Sequence, residues 1–376
     1  MKTLVIKLLK FAAGAVILLE LSLRVYNPFG LRITGDKIVL FPYKHFVTEN
    51  TKFDKIERRI VRSNNSLGFR GAEPPADFGN SLTVIAVGGS TTECFYLSDG
   101  KSWPERLGQQ LEQSFNRVWV NNAGMDGHST FGHAVLLRDY LIGLKPRVLV
   151  FLTGLNDMGL AEAGPYDRLL TGGGDRPLAA RLFLKAAAMS RTLALAQNVY
   201  LYSRTKETGL AHSQLDLKSQ VPVKAPQGLL KALRARHAPF AEAYALRLKA
   251  LVRTARQNGM EPVLATQPMP CGKGTDPETG VDLALLPTGD EFVNCAVKWD
   301  ILEMYNDAAR RVAAEEKAPL ADVAEQLPKD SRYFYDIAHF TDSGAAALAH
   351  YIYKDICPAM AKLAPANYKG GCPAVR

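Results

Sequence analysis

Several signatures are missing from this chain, and each absence removes a class of function. None of the five cysteines forms a Cys-x-x-Cys pair, so ribbon-type zinc sites and thioredoxin-like redox centres are excluded. There is no His-Glu-x-x-His and no cluster of His and Cys, which removes metal-assisted hydrolysis. There is no Walker A loop for nucleoside triphosphates, and no internal repeat of fixed period that would build a solenoid or propeller. Gly (30) and Pro (21) are too few for a collagen-like or low-complexity chain. With 47% hydrophobic and 22% charged residues over 376 positions, the chain can fold and bury a core without staples. No metal and no cofactor is expected.

Charge of one sign is in mild excess: 46 Lys and Arg against 37 Asp and Glu give a formal +9. The excess is dispersed, apart from Lys2, Lys7 and Lys10 before an apolar stretch. No zinc-finger spacing, basic zipper or aromatic RNA-binding signature accompanies it, so a solvated basic surface is expected and a nucleic-acid partner is not.

The N-terminus bears on compartment. Phe11 to Leu23 is apolar except for Glu20 and Ser22. A spanning helix needs about 20 mostly apolar residues, which requires this one to begin near Leu4 with Lys7 and Lys10 snorkelling to the headgroups. No small-x-small site follows for signal cleavage, and a buried amphipathic helix would sit oddly before an extended region. An uncleaved anchor over residues 1–25 is the expectation, with the N-terminus cytoplasmic and residues beyond about 30 outside. In an oxidising compartment Cys271 would pair with Cys295 and Cys357 with Cys372, the first bond worth about 3 kcal/mol. Five unrelated buried thiols is the alternative, and Cys94 reads as a small core residue.

Residues 26–80 lack sustained periodicity and read as an extended connector. An alternation of strands and helices follows. Leu82–Val87, Val118–Asn121, Val148–Leu152, Pro262–Ala265 and Pro319–Val323 are short β-branched runs. Helices are expected over Trp103–Phe115, Phe131–Leu144, a segment from Pro239 to Gly259, and Ser343–Lys362. Ala179–Tyr202 reads as one apolar helix within an insertion at about 160–235. The domain so predicted, 81–365, is a three-layer α/β/α fold on a five-stranded parallel sheet with a helical insertion; 366–376 is a tail.

Ligands bind beyond the carboxyl ends of parallel strands. Gly88-Gly89-Ser90-Thr91-Thr92 follows the first strand, Asn122 to His128 the second, and Thr153-Gly154-Leu155-Asn156-Asp157 the third. Asp336-Ile337-Ala338-His339 precedes the last helix. A hydroxyl becomes a nucleophile when a base takes its proton; His339 can do so near neutral pH, and Asp336 can hold its tautomer. Glycine turns and the Asn156 amide can donate to an oxyanion. Dinucleotide binding fails because the third glycine and the acidic residue after strand two are absent, and Gly-x-Ser-x-Gly fails at Thr92.

In order and spacing the four segments resemble the blocks of the SGNH (GDSL-type) hydrolase superfamily, across residues 82 to about 350. The resemblance implies a flavodoxin-like sheet and an esterase. It gives Ser90, Asp336 and His339 as the triad, and the Ser90 N–H, Gly127 and Asn156 as the oxyanion hole. One departure stands out: Gly89 occupies the place where the family pattern has Asp. Among such enzymes the anchored topology resembles envelope-polysaccharide members. O-acetyl groups of a glycan, or a small-molecule ester, are therefore the expected substrate. The alternatives are a polysaccharide O-acetyltransferase, a lipase or thioesterase suggested by the apolar Ala179–Tyr202 helix, and an inactive binding module.

Overall fold

A computed structural model describes residues 2–26, 33–163, 167, 177–207, 212, 214, 216–289 and 292–374. Residues 27–32 of the expected connector, 164–166, 168–176, 208–211, 213 and 215 of the expected insertion, and the last two residues of the tail lie outside the described residues.

In chain order the main elements are α1 (Lys2–Val25), β1 (Ile33–Thr34), β2 (Lys37–Ile38), β3 (His45–Glu49), β4 (Arg59–Ser63), β5 (Arg70–Gly71), β6 (Leu82–Gly88) and α2 (Ser90–Glu93). Next come α3 (Trp103–Ser114), β7 (Val118–Asn122), α4 (Thr130–Leu136), β8 (Val148–Leu152), α5 (Leu178–Met189), α6 (Arg191–Glu207) and α7 (Leu229–Gln257). The chain then forms β9 (Glu261–Ala265), α8 (Cys295–Glu316), β10 (Leu320–Ala321) and α9 (Asp342–Leu363).

The chain divides into two compact units. The small unit comprises Met1–Phe41 and Ala163–Ala211; the large unit comprises Pro42–Glu162 and His212–Arg376. This differs from the expected division at residues 25, 80 and 160–235. Residues 42–80 are part of the large unit, and most of the insertion joins the N-terminal segment instead of the enzyme-like domain. The boundary does not show in the sequence because residues 42–80 are held by polar anchoring that no periodicity reveals. Arg70, 6% exposed, donates to the carbonyls of Glu93, Cys94, Leu97 and Ser98 and pairs with Glu105 at 3.1 Å.

The large unit is built on a sheet of order β10-β9-β8-β6-β7-β5. The first five are parallel, as expected, and β5 adds a short antiparallel edge through Arg70 and Gly71. β6 and β8 are buried along their whole length, which is why they read as continuous apolar runs. The core joins Leu82, Val84, Val148 and Val150 to Trp103, Leu107 and Leu111 of α3 and to Leu348, Ile352 and Ile356 of α9. α3 starts on a capping box between Ser102 and Glu105 with a proline in its first turn.

Two helices differ from expectation. α7 begins at Leu229, well before Pro239, which lies inside it. The expected Ala179–Tyr202 helix is two helices broken at Ser190, where the Ser190 hydroxyl accepts from Leu193 N at 3.2 Å. Disulfides join Cys271 to Cys295 and Cys357 to Cys372, and burial pushes the free Cys94 thiol up to about 12.

The N-terminal segment is helical, but the expected transmembrane span is corrected: among the described residues no helix is long and apolar enough to cross a membrane. Lys7, Lys10, Glu20 and Arg24 interrupt α1. The uncharged stretch from Phe11 to Leu19 would reach about 13 Å as a helix, under half of the hydrocarbon thickness.

Replacing Arg70 leaves four carbonyls, three of them buried, and the Glu105 carboxylate without their guanidinium. Arg70→Ala is expected to cost the large unit about 3 kcal/mol, read as a lowered urea midpoint at unchanged m-value. An unshifted midpoint would show that residues 42–80 are not anchored through this side chain.

Candidate active site

In this strand order the polarity of the crossovers changes between β6 and β8, so a crevice opens at their carboxyl ends. Ser90 is the first residue of α2, immediately after β6, and is 8% exposed. His339 lies in the loop before α9, whose Thr341 cap accepts from Gly344 N at 3.1 Å and fixes that loop.

The structure brings Ser90, His339 and Asp336 into one chain of hydrogen bonds. Ser90 Oγ lies 2.8 Å from His339 Nε2, and His339 Nδ1 lies 2.7 Å from Asp336 Oδ2. Asp336 is 3% exposed, and its other oxygen accepts from Ala338 N and His339 N at 2.8 and 2.7 Å. Burial acts to raise the Asp336 pKa. The His339 charge and the three hydrogen bonds outweigh it, and the carboxyl is held below its ordinary range. Burial acts against the charged form of His339. The Asp336 carboxylate overcomes this and raises its pKa above the ordinary imidazole value. Such an arrangement can take a proton from the Ser90 hydroxyl and stabilise the resulting imidazolium.

Asn156 follows β8, and its Nδ2 donates one hydrogen to the His128 carbonyl at 2.9 Å. That bond orients the second N–H of the same nitrogen. Asn156 and Ser90 line one cavity together with Gly89, His128, Thr153, Gly154 and Gln267. Gly127 adopts φ +75° in the turn just before His128. Gly89 has no room for a side chain: a Cβ there would collide with Asn156 Nδ2. The place where the family pattern has Asp is thus filled here by the Asn156 amide.

Several contacts of the site were not legible in the sequence. Asp157, fully buried, accepts from Thr130 N at 3.2 Å, from the Thr130 hydroxyl, and from Arg247 at 3.2 Å, tying the third loop to α4 and α7. Gln267, after β9, accepts from the Thr91 hydroxyl at 3.0 Å and so holds α2. His212 lies with its ring centroid 4.0 Å from that of His339, and its Nδ1 shares a hydrogen bond of 2.8 Å with the Tyr335 hydroxyl. Burial first, and then the neighbouring His339 charge, lower His212 to about 4. It is therefore neutral where His339 titrates. No motif or spacing connects residue 212 to the other four segments, so sequence alone offers no signal for it.

A nucleophilic hydroxyl, an imidazole base and an orienting carboxylate at the open end of a flavodoxin-like sheet define the class of an acyl hydrolase. The description GDSL-like lipase/acylhydrolase family matches residues 78–347, and the chain belongs to that family, whose members hydrolyse ester bonds. Among curated proteins no relative matches. Among solved structures, the acetylxylan esterase Axe2 from Geobacillus stearothermophilus is similar at 13% identity and a TM-score of 0.41, over 79% of this chain and 99% of that one. LAE5, an alpha/beta hydrolase enzyme from the metagenome of Lake Arreo, is similar at 14% identity and a TM-score of 0.39, over 72% and 94%. Similarity at that level carries nothing about substrate.

Two outcomes follow from this geometry. A base must be neutral to accept a proton, so kcat/KM should fall on the acid side with a midpoint above pH 6.5, because Asp336 raises His339. In Asp336→Asn burial, which disfavours the imidazolium, is opposed only by the lesser charges of Asp126 and Glu93. The midpoint should then move to lower pH while the plateau drops about 10⁴-fold. An unmoved midpoint would remove Asp336 from the role. Gly89→Asp should displace the Asn156 amide and lower kcat about 10²-fold with an unchanged circular dichroism spectrum. Full turnover in that variant would show that Asn156 is not a needed donor.

Proposed function

We propose that the protein is an esterase for short acyl groups, removing O-acetyl groups from an envelope carbohydrate outside the cytoplasm through an acyl-enzyme on Ser90. The observation that carries the short-acyl reading is the cavity beside Ser90. Within it the centre of a water-sized group has only about 10 Å³ to move in, which favours a methyl over a long chain. The two disulfides of the large unit support an oxidising compartment. The apolar helix that suggested a lipase belongs to the small unit, whereas Ser90 and its partners belong to the large one. Attachment to a membrane rests on the apolar exposure of α1, whose Leu4, Leu8, Phe11 and Leu18 all face outward.

In the proposed mechanism Ser90 Oγ attacks the ester carbonyl carbon as His339 Nε2 takes the hydroxyl proton. The Ser90 N–H, the Gly127 N–H and the Asn156 amide donate to the oxyanion. Collapse breaks the bond to the sugar oxygen, which leaves with the proton from Nε2. Water then attacks the acyl-enzyme, gives a proton to Nε2, and Ser90 departs by taking it back, releasing acetate. Aromatic rings gather beside His339, with Tyr335 stacked at 5.6 Å and 15°, and Phe53 and Tyr96 next to it. Phe53 and Tyr335 are buried, so these rings brace the base from within the core.

Hydrolysis of 4-nitrophenyl acetate, butyrate and octanoate tests the reading. The value of kcat/KM should fall at least about tenfold from acetate to butyrate and further to octanoate. Ser90→Ala should remove nearly all turnover and the adduct formed with a fluorophosphonate. A preference for octanoate would overturn the short-acyl assignment in favour of a lipase. Acetyl groups recovered on an added oligosaccharide, with little free acetate, would replace hydrolysis by transfer.

A further inference from the structure

The small unit resolves an oddity of α1, the two charges Glu20 and Arg24 that follow its apolar stretch. Both are engaged by the turn between α5 and α6. Glu20 accepts from Arg191 N at 3.0 Å and Thr192 N at 2.9 Å, the first backbone groups of α6, and from the Ser190 hydroxyl at 2.8 Å. Arg24 donates to the carbonyl of Met189, the last residue of α5, at 2.7 Å, and its Nε bonds Glu20 at 2.9 Å. A carboxylate thus meets a helix N-terminus and a guanidinium meets a helix C-terminus, both with the favourable sign. Gln197 of α6 adds a two-way amide bond to Gly35 beyond β1, at 3.0 and 2.6 Å, and so holds the hairpin to α6.

The faces left over are apolar and basic. α5 buries Leu184 and Ala187. On the opposite side Leu178, Leu182 and Met189 form an exposed stripe, and Arg181 and Lys185, also exposed, run along its edge. Phe183 is 42% exposed beside them. α1 exposes apolar residues on every side together with Lys7 and Lys10. The only acidic residue of α1 or α5 is Glu20, which is already engaged. An apolar stripe edged only by cations fits a bilayer of anionic phospholipid.

We propose that α5 is a second membrane-contacting element, clipped to α1 by Glu20 and Arg24, so that the turn at Ser190 sits at headgroup level and the Leu178–Leu182–Met189 stripe lies against lipid. This rests on the attachment of α1 proposed above. The clip lets two charges within an apolar helix approach lipid without meeting it unpaired, because their partners are supplied by the same unit.

The test uses the full chain with an environment-sensitive fluorophore on Leu182→Cys, added to vesicles of phosphatidylcholine and phosphatidylglycerol. Fluorescence should shift to the blue on binding, and quenchers placed in the lipid tails should reach the label. Leu178→Ser with Leu182→Ser and Met189→Ser should weaken vesicle partition at least about tenfold. Glu20→Ala with Arg24→Ala should abolish the shift of the label at position 182, while a label on Leu8→Cys keeps its own. Turnover of a soluble acetate ester, unchanged in every variant, reports that the large unit is folded. A water-exposed label on vesicle-bound protein, or a triple variant that partitions like wild type, would overturn the role of α5 and leave the α1 attachment standing. Wild-type protein that stays off the vesicles, with Leu8→Cys unshifted, would overturn the attachment itself and this inference with it.

Discussion

The turn that carries Ser90 approaches the loop after β7 so closely that no side chain fits between them, and the site depends on that approach. A Cβ at Gly124 would collide with the backbone nitrogen of Glu93, just as one at Gly89 would collide with Asn156. Contact at this range lets the two loops satisfy one another's polar groups. Asn122 donates to the Thr92 carbonyl at 2.6 Å, Asp126 N donates to Glu93 at 2.7 Å, and Met125 N donates to the Gly88 carbonyl at 3.0 Å. Buried backbone donors and acceptors must find partners somewhere. Because these find them between the two loops, the strand ends form a floor with fixed N–H directions, as a preorganised oxyanion site requires.

Around that floor the charges favour the imidazolium of His339 over that of its neighbour His212. The rings of His339 and His212 lie tilted with centroids 4.0 Å apart, a distance at which two imidazolium ions would repel strongly. Asp336 gives its shortest contact, 2.7 Å, to His339 and lies 3.7 Å from His212 Nδ1. Burial and the His339 charge push His212 down, to about 4. Proton affinity is therefore concentrated on the ring that faces Ser90. His212, bonded to Tyr335, contributes a neutral wall that keeps water from one side of the base.

The sequence made the chemistry legible and the architecture around it only partly so. Ser90, Asn156, Asp336 and His339 were readable because each follows a strand or precedes a helix, in motifs whose polar residue types cannot be core. The five parallel strands were readable because full burial on both faces leaves unbroken β-branched runs such as Leu82–Gly88. Residues 42–80 were not, since they are fastened by single polar side chains such as Arg70, and a lone arginine has no periodicity. Nor was His212, which reaches His339 through tertiary folding alone. The break at Ser190 was hidden for a related reason: Ala179–Tyr202 is mostly apolar, and its interruption is set by hydrogen bonds to Glu20, far away in sequence.

Glu20 also shows what the charges that interrupt α1 do. An ionic side chain bears the full cost of leaving water only where it lacks partners. Glu20 takes four hydrogen bonds from Arg24, Ser190, Arg191 and Thr192, and Arg24 is held between Glu20 and Met189. The charges that shorten the apolar stretch of α1 are the ones that join it to α5 and α6. A break in hydropathy here marks an assembly point between helices: the sequence places Glu20 where α1 must grip another element, and the apolar residues before it remain free to meet a different surface.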